Sequence, residues 1–160
     1  MCFAMDKHLG RWNFLTGGRL VTAAVAKKVL VVDDDPDARI FISNLMTAHG
    51  FEPILAESRT EGLRKAIDEN PTIIIIEMMM SGEGGIQMYR DLKRDLKLSR
   101  IPVIMLATID RKLFFKWHKI HGSRAARSKP DVYLEKPLEA EELIRVTNEL
   151  ARTEAVNPVT

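Results

Sequence analysis

Short, mostly apolar runs alternate along the chain with longer stretches in which apolar residues return every three or four positions. The runs 29–32, 73–76, 103–106 and 132–134 are rich in Val, Ile and Leu and show no polar alternation, and 51–56 is a further plausible strand broken by Glu52. Such runs predict strands buried on both faces, the kind found inside a parallel sheet. Pro53 marks the 51–56 run as an edge strand or a strand start. Between the runs the spacing turns helical. Asp35 before Pro36 predicts a helix start, with Phe41, Leu45 and Ala48 as its apolar positions and Gly50 as its stop. Ser58-Arg59-Thr60-Glu61 has the form of a capping box, followed by Leu63, Ala66 and Ile67 and closed by Asn70-Pro71. Ile86, Tyr89, Leu92 and Leu96 predict a third helix, and a basic stretch over 110–126 a fourth. A last helix opens on Glu139, Glu141 and Glu142, where acids favour the positive end of the helix dipole, and buries Leu143, Val146 and Leu150.

The order is therefore strand then helix, five times, with short connections. That alternation predicts an α/β fold: a five-stranded parallel sheet with five helices on its two faces, joined by right-handed crossovers. At 160 residues, 46% hydrophobic and 29% charged, the chain fits one domain with a real core and excludes wholesale disorder. The expected organisation is a loosely ordered N-terminal extension over 1–27, the domain over 28–152, and a frayed tail over 153–160. No run reaches the roughly 20 apolar residues of a membrane-spanning helix. The apolar positions of the first 26 residues are broken by Asp6, Lys7, Arg11 and Arg19, which argues against a secretory signal. Cys2 is the single cysteine, so no disulfide framework exists and a reducing, cytoplasmic setting is expected.

Chemistry concentrates where three strands end. The first is followed by Asp33 and Asp34, the third by Glu77, and the fifth by Lys136. In open α/β sheets the carboxyl edge of the strands is where ligands bind. Three clustered carboxylates repel one another unless a cation intervenes, and a hard divalent ion such as Mg²⁺ takes carboxylates, carbonyls and water. A lysine beside them neutralises a carboxylate or holds a phosphoryl oxygen. Each strand end alone is a weak signal; the four together predict one shared site. Met78-Met79-Met80 reads as space-filling loop, and SGEGG lacks the Lys-Ser/Thr ending of a phosphate loop.

VLVVDDDPDAR, the IIIIE strand with its MMM loop, PVIMLAT and YLEKPL, in that order, resemble the receiver domain of two-component response regulators. The resemblance covers roughly 28–152. It implies a flavodoxin-like sheet of order 2-1-3-4-5 and a domain that takes a phosphoryl group from a histidine kinase onto an aspartate with Mg²⁺ assisting. By resemblance, Asp33 and Asp34 are the acidic pair, Asp34 a direct Mg²⁺ ligand, and Asp33, Asp34, Glu77 and Met79 the metal set. Lys136 pairs with the phosphoryl group, the Lys136-Pro137 bond is cis, and Tyr133 is the aromatic that changes rotamer on activation. Two positions depart from the pattern. Glu77 stands where the family has the phosphoacceptor Asp, which moves the carboxylate out by about 1.5 Å, a carbon–carbon bond length. Ångström-scale misplacement costs phosphoryl transfer on the order of 10²-fold. Ala107 stands where the family has Ser or Thr; Thr108 follows one residue later, on the opposite side of a regular strand. The expectation is a degenerate receiver held by a Glu77–Lys136 pair, with Mg²⁺ binding weakened or lost.

The net charge of +2 conceals an uneven distribution, because 111–129 holds seven Lys/Arg and no acid. Leu113, Phe114, Trp117 and Ile120 are interleaved with those cations. Phe114 and Trp117 are candidates for a partner surface. His118 and His121 read as solvated histidines of a basic face, and nucleic-acid contact through 111–129 ranks behind a protein partner. The reading is a stand-alone, non-enzymatic receiver acting through protein contacts with a histidine kinase or downstream signalling protein, or as a homodimer through the fourth and fifth helices. The alternatives from other classes are a Mg²⁺-dependent phosphoryl-transfer enzyme and a basic nucleic-acid-binding module.

Overall fold

The computed structural model describes residues 3–6, 11–16, 19–24, 26–81, 84–110, 112–113 and 130–156. Before the main domain, β1 (Phe3–Asp6), β2 (Arg11–Thr16) and β3 (Arg19–Ala24) form a three-stranded antiparallel sheet of order β1-β2-β3. The sequence leads one to expect a loosely ordered extension here; these residues instead pair as strands.

The five apolar runs become β4 (Lys27–Val32), β5 (Phe51–Ala56), β6 (Ile73–Glu77), β7 (Val103–Ala107) and β8 (Val132–Glu135). They pair in parallel in the order β5-β4-β6-β7-β8, which is 2-1-3-4-5 when the five are counted along the chain. β5 lies at the edge, which accommodates Pro53. Side chains alternate between the two faces. Leu30, Val32, Ile74, Ile76, Val103, Met105 and Ala107 enter one apolar layer, and Val29, Val31, Ile73, Ile75, Ile104 and Leu106 the other. The first layer is covered by α2 (Arg59–Glu69) and α3 (Gly84–Arg94); the second by α1 (Pro36–Ala48) and α4 (Ala140–Val156).

Helix ends follow the sequence signals. Asp35 caps α1 by accepting from the Asp37 N–H at 3.0 Å, and Gly50 adopts φ +81° beyond the helix end. Ser58 caps α2, but the reciprocal half of the capping box lands one residue early: Glu61 accepts from the N–H of Glu57 at 2.9 Å. Asn70 closes α2 in the left-handed region at φ 45°.

Three buried stripes differ from expectation. On α1 the core positions are Ile42 and Met46, whereas Phe41 is 48% exposed and Ala48 lies on the surface. The stripe is rotated by one residue, because two β-branched or long side chains at i and i+4 fill the space above Val29 and Val31. On α2, Gly62 and Ala66 face inward and Ile67 is exposed; a Cβ on Gly62 would sit 2.8 Å from Met88 Cε, so a larger residue there would have to push the end of that side chain aside. α3 ends at Arg94, which leaves Leu96 outside it and exposed. Four helices of the expected five are described. The expected fourth, over 110–126, falls largely outside the described residues, as do Phe114, Trp117, His118 and His121.

Candidate functional site

Strand register brings the acidic residues together. Val32 of β4 lies level with Ile76 of β6, so Asp33 and Glu77 follow side by side at the carboxyl edge. Alternation then sorts them: both point to the face of Val31 and Ile75, and Asp34 to the opposite one. Leu106 of β7 is level with Leu134 of β8, and the Lys136 N–H donates to Ala107 O at 2.7 Å, which extends the ladder to the lysine. The Lys136-Pro137 bond is cis.

Asp33 and Glu77 are almost wholly buried, at 1% and 5% exposure. The Lys136 ammonium sits directly on Glu77 Oε2 and 3.6 Å from Asp33 Oδ2. Neither of those two oxygens accepts a well-formed hydrogen bond, so their compensation is ionic. The other oxygens are bonded internally. Asp33 Oδ1 accepts from the Asp35 N–H at 2.9 Å, and Glu77 Oε1 from the Met79 N–H at 3.0 Å. Burial pushes the Asp33 carboxyl up, against the Asp35 N–H and the Lys136 charge, with Glu77 and Asp34 adding to the rise. Burial works against the Lys136 ammonium, but its close contact with Glu77 and the charges of Glu77 and Asp33 outweigh it and hold its pKa up.

Asp34 is arranged differently. It is exposed, and its Oδ2 accepts both the N–H and the hydroxyl of Ser81, at 2.9 and 2.8 Å. Those two donors hold its carboxyl below the usual range. Ser81 follows the methionine run, and sequence reading missed it; the signal was a lone hydroxyl between the methionines and the glycines, beside a carboxylate cluster with more acceptors than donors. The loop itself is tightly seated. A Cβ on Gly85 would lie 1.9 Å from Glu77 O and 2.7 Å from Met78 O, so the start of α3 packs against the end of β6 by its bare backbone.

Of the remaining candidates, Ala107 is buried in the layer of Met105, and Thr108 lies beyond β7 and exposed. No bulge brings its hydroxyl to the Ala107 position, since Ala107 keeps regular register with Glu135. Met79 exposes its side chain and gives the site its N–H. Tyr133 is buried, and its hydroxyl donates to Ile109 O at 2.8 Å, tying β8 to the segment after β7.

Asp33, Asp34 and Glu77 are oxygen donors of the right chemistry for Mg²⁺. As arranged they do not fit a divalent ion, because Lys136 faces the two oxygens that lack hydrogen bonds and Ser81 draws Asp34 away. Among the described residues no three His, Cys, Asp or Glu side chains converge as metal ligands.

A doubly wound parallel sheet of this order, with an acid pair, a third-strand acid and a fifth-strand lysine on its carboxyl edge, defines a signal-receiver class of protein. Comparison agrees. Residues 29–148 match the family described as the response regulator receiver domain, and the chain belongs to that family. It is 31% identical over 121 residues to protein PilH of Pseudomonas aeruginosa, covering 76% of this chain and 94% of PilH. It is 32% identical over 130 residues to the phosphate regulon transcriptional regulatory protein PhoB of the same organism, of which it spans 54%. Among solved structures, the receiver domain of the Francisella response regulator 1452 aligns with TM-score 0.66 at 30% identity, over 80% of this chain and 98% of that one. The signal receiver domain of a histidine kinase from Syntrophus aciditrophicus shares the fold, with TM-score 0.71 over 84% and 97% of the two chains. The protein is thus a two-component receiver domain. No described helix is long and apolar enough to cross a membrane.

Proposed function

We propose that this receiver signals through protein contacts from an acidic site held shut by Glu77 and Lys136, and is not switched by phosphoryl transfer. One observation carries the reading: the Lys136 ammonium rests on Glu77 Oε2 while the Met79 N–H takes Oε1, so both oxygens of the acceptor carboxylate are engaged. Ala107 adds to it, since no hydroxyl stands at that position to hold an incoming phosphoryl oxygen. The finer roles follow from this reading. Asp33 and Asp34 are the acid pair, Mg²⁺ binds weakly or not at all, and Tyr133 stays inward on Ile109 O. The domain works in the cytoplasm and without enzymatic turnover. Its partner is a histidine kinase, a downstream signalling protein or a second copy, and 111–129 is the partner face.

The test is incubation with Mg²⁺ and acetyl phosphate followed by intact mass. No adduct is expected on the parent. Stoichiometric phosphorylation at Glu77 would sink the proposal. The double variant Glu77→Asp/Ala107→Thr restores both missing features and is expected to gain labelling over the parent.

A further inference from the structure

We propose that Ser81 is a positioning residue that pins the Asp34 carboxylate to the β6–α3 loop and so keeps the acidic edge from assembling into a divalent-cation site. The inference deepens the reading of a closed site and rests on it, but it concerns a different residue and a different bond. A dication on this edge would recruit the two buried oxygens without hydrogen bonds, Asp33 Oδ2 and Glu77 Oε2, together with the exposed Asp34. Lys136 already faces the first two. Asp34 is the ligand left, and its Oδ2 is taken twice by one residue, 47 positions further along the chain.

Two donors on one carboxylate oxygen make charge-assisted bonds, each worth more than a neutral bond. They come from separate parts of Ser81, the backbone N–H and the side-chain hydroxyl, so they can be removed in steps. Alanine removes only the hydroxyl. Proline removes both donors. Threonine keeps both. Asp33 and Glu77, one strand apart, are fixed by burial and register, so the freedom that Ser81 controls belongs to Asp34 alone.

The experiment is a Mn²⁺ titration of the full chain, reading free Mn²⁺ by electron paramagnetic resonance, with circular dichroism to show that each variant is folded. Ser81→Ala is expected to bind Mn²⁺ about ten-fold tighter than the parent, the loss of one hydrogen bond to a charged group. Ser81→Pro is expected to bind tighter again, and Ser81→Thr as weakly as the parent. Adding Asp34→Asn to Ser81→Ala should abolish the gain, which a merely structural role for Ser81 would not produce. A parent that binds as tightly as the alanine variant overturns the proposal, as does a gain that survives Asp34→Asn. Should Ser81→Pro fail to fold, the alanine and threonine pair decides alone. Labelling of the parent by acetyl phosphate with the Mn²⁺ series intact would defeat the closed-site function and leave the role of Ser81 standing. The reverse pattern would defeat only the role of Ser81.

Discussion

Replacing Lys136 with Met keeps most of the side-chain bulk and removes the charge on which two buried acids depend. Asp33 and Glu77 are 1% and 5% exposed, and each has one oxygen whose only compensation is the ammonium. Removing one partner of a buried ion pair costs about 3–5 kcal/mol, because the other charge is left uncompensated. The lysine side chain is itself 26% exposed, so water recovers part of the loss and about 3 kcal/mol is expected. For a domain of this size that corresponds to a Tm lowered by roughly 10 °C. Urea unfolding followed by circular dichroism measures it, at pH 7.5 and pH 5. The pH dependence has a definite sign. In the parent, the Lys136 pKa is raised, so its contribution is complete below 10.5 and fades only as pH climbs through the folded value. The Asp33 pKa is raised, so folding favours its protonated form, and stability falls as pH rises from 3.8 through the folded value. Without Lys136 that second effect grows, and the deficit should be larger at pH 7.5 than at pH 5. Lys136→Met with Glu77→Gln should lose less than the two single changes summed, by at least about 1.5 kcal/mol, the scale of a hydrogen bond to a charged group. A variant as stable as the parent at pH 7.5, or a deficit equal at both pH values, would refute the ion-pair account.

Gly85→Ala places a Cβ 1.9 Å from a backbone carbonyl, which no rotamer change relieves; a loss of about 3 kcal/mol in urea unfolding is expected, the upper range for overpacking. An unaltered midpoint would mean that α3 can shift on β6 at little cost. Tyr133→Phe deletes the bond to Ile109 O and leaves that part-buried carbonyl without this donor, which should lower stability by about 1 kcal/mol in the same assay.

The sheet was legible in the sequence because its central strands are buried on both faces and therefore written as uninterrupted apolar runs; the edge runs, 51–56 with Glu52 and Pro53 and 132–134, became strands as well. The shared site was legible for the related reason that a parallel sheet gathers its strand ends on one edge, which put Asp33, Glu77 and Lys136 within reach. Helix faces were less so. Helical spacing in α1 admits both a Phe41–Leu45–Ala48 stripe and an Ile42–Met46 stripe, and only the shape of the sheet beneath selects the second. Ser81 was illegible on other grounds. Its role is a bond across 47 residues between two loops, and neither loop carries a periodic pattern.

The substitution at the end of β6 gains its meaning from its neighbours. A glutamate carries its carboxylate about 1.5 Å further than an aspartate would. In this chain that reach is used inward: Oε2 lies on the Lys136 ammonium and Oε1 under the Met79 N–H. The start of α3 lies directly on the end of β6, because Gly85 sits against the carbonyl of Glu77 itself. Under the closed-site proposal, a dication arriving at this edge displaces Lys136 from Glu77. Restoring Asp at position 77 alone shortens the reach and leaves Ala107 without its hydroxyl and Ser81 on Asp34. The labelling gain should for that reason be larger when Ala107→Thr accompanies Glu77→Asp than for Glu77→Asp alone.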